Sequence, residues 1–210
     1  MTLVNKNSTL NIKDIIITDT KNSILNEEKK DKLTLKDLIK YDMYRFDKAT
    51  SFKEMLKTYL QEPGANYMVW FRIAQKYNNL FTKIILRRKM FKFGIEIFPM
   101  TNIDKGFYIG HFGGIIINPK VKIGKNCNIS QGVTIGGSYK GKSQGYPTIG
   151  DNVFIAPGAK IFGNITIGNN VAIGANAVVT KSFPDNSLIA GSPAKLISNE
   201  GSEGYINHTV

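Results

Sequence analysis

The chain has 210 residues and carries 28 Lys and Arg against 16 Asp and Glu, a formal charge of +12. That length suits one ordinary domain with an appendage or one elongated domain, and the charge favours anionic partners such as nucleic acid, phosphorylated ligands or an anionic lipid surface. A single cysteine, Cys127, excludes an internal disulfide, and no stretch approaches the roughly 20 apolar residues of a membrane span, so a cytoplasmic location is expected and any membrane contact would be peripheral.

Residues 1–32, rich in Asn, Lys, Ser and Thr, read as a loosely ordered arm. From 33 to 94 the apolar residues take a helical period. Capping-box patterns at Thr34–Asp37 (with Asp for the usual Glu) and Ser51–Glu54 predict two helix starts. A third helix is expected after Pro63 and Gly64, carrying Met68, Phe71 and Ile73. A fourth, LFTKIILRRKMFKFG, should stop at Gly94 as a C-terminal cap. Lys83, Arg87, Arg88, Lys89 and Lys92 stand on it without an acid, which makes it a solvated basic face or a surface for an anionic, lipid-linked partner.

After Gly94 the period changes to six. Ile117, Ile123, Ile129 and Ile135 are six apart, as are Ile149, Ile155, Ile161, Ile167, Ile173 and Val179. Four residues after an aliphatic comes a small or apolar residue, among them Cys127, Val133, Val153, Ala159, Val171 and Ala177. Neither a helix nor an alternating strand repeats at six. Short strands wound into a prism do, with the aliphatic pointing inward and a small residue easing each corner. Three sides make an eighteen-residue coil, and successive coils stack roughly 4.8 Å apart as parallel strands. Residues 95–197 are assigned to this domain, and 198–210 to a polar tail.

Two breaks interrupt the period. Ile109, Ile115 and Ile117 show a two-residue slip beside His111, and Ile135 to Ile149 spans fourteen residues where twelve would keep register. The second break holds the polar loop GGSYKGKSQGYPT. Interruptions of a rigid scaffold are where side chains leave the wall to form a site. His111 is one of two histidines; the other, His208, lies in the tail, where no catalytic role is expected. Cys127 falls on an inward position and reads as filler, not as a nucleophile.

The segment from about Ile97 to Ile197, including HFGGIIINPKVKIGKNCNISQGVTIGGSYKGKSQGYPTIG and AGSPAKLI, resembles the hexapeptide-repeat acyltransferases, in particular the serine O-acetyltransferases and their relatives in surface-polysaccharide synthesis. The resemblance implies a mainly β fold, a left-handed parallel β-helix preceded by a small α-helical segment, and acetyl-CoA as co-substrate with no metal. It also implies a homotrimer with the thioester running along the outside of the prism between neighbouring chains. By this resemblance His111 is the general base, Gly136 and Gly137 match the paired glycines before the active-site loop, and Gly137, Ala156, Pro157, Ala175 and Lys195 line the path of coenzyme A. Three positions depart from the serine enzymes: Gly110 stands for an Asp before the catalytic His, Gly145 for an Arg, and Tyr146 for a second His. All three belong to the family's amino-acid pocket.

Transfer to a hydroxyl needs a base as the oxygen attacks the thioester and donors for the developing oxyanion. An imidazole, whose unperturbed pKa is about 6.5, suits the first role. The expected mechanism is direct transfer with His111 as base, oriented by a backbone carbonyl or by Asp42 or Asp47. The acceptor expected from Gly110, Gly145 and Tyr146 is a sugar hydroxyl of a surface glycan or its precursor, with Tyr146 stacking on the sugar face; L-serine is the alternative. A zinc-dependent hydratase on this scaffold would need several histidines, and only His111 lies in the repeat. A non-enzymatic basic solenoid binding an anionic partner is the alternative of another class. Nucleic acid is not the expected partner, because the charge is spread over both zones, +8 in residues 1–100 and +4 in the rest, and no nucleic-acid-binding motif appears.

Overall fold

A computed structural model of the protein describes residues 33–141 and 143–210; the arm expected over residues 1–32 lies outside them. Leu35–Val210 form one compact unit, so the helices and the repeat share one body.

Four helices come first: α1 (Leu35–Tyr44), α2 (Phe52–Gln61), α3 (Pro63–Tyr77) and α4 (Leu80–Phe93). The Ser51–Glu54 capping box forms as predicted. The Ser51 hydroxyl accepts from the Glu54 N–H, and the Glu54 carboxylate accepts from the Ser51 N–H at 2.9 Å. These backbone donors hold Glu54 at about 2, well below an ordinary carboxylate. Pro63 opens α3 at a position that needs no N–H. Gly94 ends α4 at φ +62, the left-handed cap expected of it. On α4 the residues Lys83, Arg87, Arg88 and Lys92 are exposed together with Leu80, Ile84 and Phe91, while Lys89 is half-buried.

From Ile95 onward the chain winds into a three-faced parallel solenoid of about five turns. One face stacks β1 (Ile95–Ile97), β4 (Ile115–Ile117), β7 (Thr134–Gly136), β10 (Lys160–Phe162) and β13 (Val178–Val179). The second stacks β2 (Asn102–Ile103), β5 (Lys122–Ile123), β8 (Thr148–Ile149) and β11 (Thr166–Ile167). The third stacks β3 (Tyr108–Ile109), β6 (Asn128–Ile129), β9 (Phe154–Ile155), β12 (Ala172–Ile173) and β14 (Leu188–Ala190), closed by the antiparallel β15 (Lys195–Ser198). Ile117 pairs with Ile135 and Ile161 with Val179, which is the eighteen-residue turn read from the sequence.

Every aliphatic of the six-residue series is inward and at most 4% exposed, and Cys127, Val133, Val153, Ala159, Val171 and Ala177 are fully buried beside them. Each such side chain contributes about 1.5–3 kcal/mol of burial. Corner conformations are supplied by asparagine as well as glycine. Asn126, Asn152, Asn170 and Asn186 all have φ between +54 and +61 and hydrogen-bond one another in a ladder at 3.0–3.2 Å. Asparagine tolerates this region because its short polar side chain bonds locally.

The slip beside His111 is confirmed: Ile97 pairs with Ile117, so the first turn holds two residues more than eighteen. The second break needs correction. Ile123 pairs with Ile149 and Ile117 with Ile135, so β8 is the face directly after β7. The loop is therefore an insertion of eight residues within a single side, not an excess of two over two sides.

The helices are fastened to the first turn. The Tyr67 hydroxyl donates to the Ile97 carbonyl at 2.7 Å, and Gly64 packs on the backbone of Ile109. Arg72 and Asp42 form a buried ion pair at 2.7 Å. Arg72 also donates to the carbonyls of Ile103 and Asp104, and Asp42 accepts from the Phe107 N–H.

Candidate active site

Two extra residues after β3 lift the chain off the prism just before its corner, and His111 sits in that bulge, exposed. The following Phe112 leans edge-on against Phe93 of α4, with ring centroids 5.9 Å apart, which ties the bulge to the helical segment. His111 opens onto a cavity of about 510 Å³. Its walls come from four parts of the chain. The turn after α1 gives Arg45, Phe46 and Asp47, and the residue before α3 gives Glu62. The third face of the solenoid gives Tyr108, Asn128, Ser130, Phe154 and Pro157. Tyr205, Asn207 and His208 come from the C-terminal segment.

The cavity carries both signs of charge. Arg45 is 4% exposed. Its guanidinium donates to the Asn207 carbonyl at 2.7 Å and to the Asn128 side-chain carbonyl, and stands 5.8 Å from the Tyr108 ring centre. Burial pulls it below the ordinary arginine value. Its Nε is buried without a hydrogen-bond partner among the described residues. Burial, with the nearby carboxylates of Glu62 and Asp47 adding to it, pushes the Tyr108 hydroxyl up. Phe46 packs on Tyr108 at 4.5 Å and Phe154 stacks on Tyr205 at 4.9 Å, so the walls between the charges are aromatic.

Of the residues picked out from the sequence, Gly110, His111, Asp47 and Pro157 meet at this cavity. Gly110 has a local reason: a Cβ there would come within 3.0 Å of the Tyr108 ring, so Tyr108 fills the space a side chain at 110 would take. Asp42 does not serve as the orienting group for His111, because both its oxygens are held by Arg72 and one by Phe107 N–H as well. Tyr146 is not a wall of this cavity. Its ring lies over Gly137, where a Cβ would meet it at 2.6 Å, edge-on to Tyr139 and 5.1 Å from the Lys120 ammonium. Gly136 ends β7, where a Cβ would meet the Phe162 ring at 2.8 Å. Ala156 is buried beside Pro157, while Ala175 and Lys195 are exposed on the last turns.

Cys127 is inert by position. It is fully buried, its thiol lies 3.1 Å from the Gly150 carbonyl, and burial pushes it up to about 12. Among the described residues, no group of three or more His, Cys, Asp or Glu stands close enough to hold a metal ion. Sequence reasoning missed Arg45, Glu62, Asn128 and the whole contribution of the C-terminal segment. The recurring Asn at the solenoid corners was the one available signal for the last of these, since that ladder ends on the tail.

An exposed imidazole at the mouth of a polar, aromatic-walled cavity, on a solenoid of six-residue sides, defines an acyltransferase of the hexapeptide class. Residues 146–181 match the family model described as bacterial transferase hexapeptide (six repeats). The chain is 40% identical over 172 residues to the serine acetyltransferase of Staphylococcus epidermidis, covering 80% of this chain and 79% of that one. It is 40% identical over 136 residues to that of Staphylococcus xylosus, covering 65% and 63%. Among solved structures, the soybean serine acetyltransferase apoenzyme matches with a TM-score of 0.68 at 28% identity over 82% of this chain and 72% of that one. The Brucella abortus serine acetyltransferase in complex with coenzyme A matches with a TM-score of 0.67 at 28% identity over 78% and 68%. The chain belongs to the serine acetyltransferase family of hexapeptide-repeat acyltransferases.

Proposed function

We propose that the protein transfers the acetyl group of acetyl-CoA to the hydroxyl of a small polar acceptor, with L-serine the first choice. The observation that carries the reading is the placement of His111 at a cavity whose walls bear Arg45 on one hand and Asp47 and Glu62 on the other. Opposite charges within one small cavity suit a zwitterion, its carboxylate toward the guanidinium and its ammonium toward the carboxylates. The relatives named serine acetyltransferase support the same acceptor. The loss of charge at Gly110, Gly145 and Tyr146 is offset by charged groups that the helical segment brings in.

In this mechanism the imidazole of His111 takes the acceptor's hydroxyl proton as the oxygen attacks the thioester carbonyl. The tetrahedral intermediate collapses with cleavage of the C–S bond, and the imidazolium returns the proton to the departing thiolate, giving the acetyl ester and free coenzyme A. Asp47, the carboxylate of the predicted pair that reaches the cavity, is the group proposed to act beside His111. The pantetheine arm is proposed to run past Gly136, Gly137, Ala156 and Pro157 toward Ala175 and Lys195 along the wall shared with a neighbouring chain of a trimer. A cytoplasmic location is proposed with this reading.

A saccharide hydroxyl is the second reading. Tyr108, Phe154 and Tyr205 on the cavity walls favour it, since aromatic faces stack on sugar rings. The two readings separate in one assay: purified protein, acetyl-CoA and a panel of L-serine, free and nucleotide-linked sugars and glycan fragments, followed by release of free thiol. Release with serine alone supports the first reading, and release with a saccharide alone replaces it with the second. With either acceptor, His111→Ala should lower kcat by about 10²- to 10⁴-fold, the range of a positioned general base. Unchanged turnover in a folded variant would remove His111 from the mechanism.

A further inference from the structure

The polar tail expected after residue 198 is a built part of the molecule. It runs down the solenoid, against the order of the turns, toward the helical end. The Ser202 hydroxyl donates to the Asn152 carbonyl at 2.7 Å, and its N–H donates to the Asn170 carbonyl. The Asn128 amide donates to the Tyr205 carbonyl, Arg45 to the Asn207 carbonyl at 2.7 Å, and Asn126 to the Val210 carbonyl at 3.1 Å while accepting from the Val210 N–H. Arg45, Asn126 and Asn128 are each under a tenth exposed. Burying such groups is costly unless they are hydrogen-bonded, and the backbone of the tail supplies at least one bond to each. The Arg45 guanidinium, which has no carboxylate partner among the described residues, thus also holds Asn207 in place.

The placement brings Tyr205, Asn207 and His208 to the cavity that His111 opens onto. His208 has φ +55, a region that residues other than glycine seldom occupy. Such a conformation persists where the surroundings fix it, here with the ring edge-on to Tyr44 at 6.4 Å. An imidazole can both donate to and accept from a small polar ligand.

We propose that the C-terminal segment is a wall of the acceptor site, and that His208 contacts the acceptor and sets its specificity while His111 takes the proton. The inference rests on the transferase reading above. The segment is pinned by the same side chains, Arg45 and Asn128, that line the cavity, so acceptor recognition and the position of the tail are one device.

With only two histidines in the chain, the test is direct. Protein labelled with 15N-histidine gives two imidazole signal sets, assigned with His208→Asn. Titration with the best acceptor of the thiol-release panel, or with L-serine if none is turned over, should move both sets with one midpoint. His208→Asn should raise the acceptor KM about tenfold, the loss of roughly one hydrogen bond, with kcat and the KM for acetyl-CoA nearly unchanged. Deleting residues 202–210 should raise it further. If turnover occurs but only the His111 signals move, or if His208→Asn leaves the acceptor KM unaltered, the inference fails and the transferase reading stands. A deletion that increases kcat/KM would mark the tail as a block on the site and equally overturn the proposal. If no acceptor is acetylated and neither signal moves, the transferase reading falls and takes the inference with it.

Discussion

Replacing Gly64 by alanine should displace His111 although the two residues do not belong to the same element. Gly64 is the second residue of α3 and meets the backbone of Ile109, two residues before His111. A Cβ at Gly64 would lie inside contact distance of the Ile109 carbonyl oxygen, 2.9 Å from the Ile109 Cβ and 3.2 Å from its carbonyl carbon, where ordinary contacts are 3.4–4 Å. Relieving the clash takes a relative shift of about 1 Å between α3 and the end of β3 that leads into His111, the kind of backbone shift that overpacking forces. Overpacking of this kind costs about 1–3 kcal/mol, reduced by at most about 1 kcal/mol from the better helix propensity of alanine. A net loss of about 2 kcal/mol lowers Tm by about 4–8 °C in a domain of this size. Misplacing a catalytic group by 1 Å costs about 10²-fold in rate. Thermal unfolding and kcat/KM measured on the same preparation check both numbers. A Gly64→Ala protein that melts within about a degree of the parent and keeps its kcat/KM would refute the claim that this close approach positions His111.

Asp42→Asn removes one member of a buried ion pair and leaves Arg72 uncompensated, so it should cost about 3–5 kcal/mol in denaturant unfolding; a loss under about 1 kcal/mol would show that the pair is replaceable. Cys127→Ala should retain kcat. In the native protein the thiol, pushed up to about 12 and fully buried, should resist a disulfide reagent at pH 8 that modifies it at once in urea. Loss of turnover in folded Cys127→Ala would instead argue for an acyl-enzyme on sulfur.

The period of six in the isoleucines is a local property, and it determined the solenoid. An aliphatic every sixth residue can be buried only if the chain turns at each side, and every member of the series is inward. The helix limits were equally local, set by the Ser51 box, Pro63 and the left-handed turn at Gly94. The position of His111 could be singled out because the repeat slips beside it. The length of the loop insertion was misjudged, since aliphatics alone do not tell which face Ile149 belongs to; only the pairing of Ile123 with Ile149 decides that.

What the tertiary structure alone decided is the surroundings of that histidine. Arg45 meets Asn128 across 83 positions and Asn207 across 162, and no periodicity or motif links residues so far apart. Asp42 and Asp47 looked equivalent in sequence, yet α1 turns one into a buried ion pair and leaves the other at the cavity. The C-terminal residues lack a period and read only as a polar tail. Their order comes from backbone groups meeting buried Asn and Arg side chains, a complementarity that exists only once the solenoid has brought its corners into line.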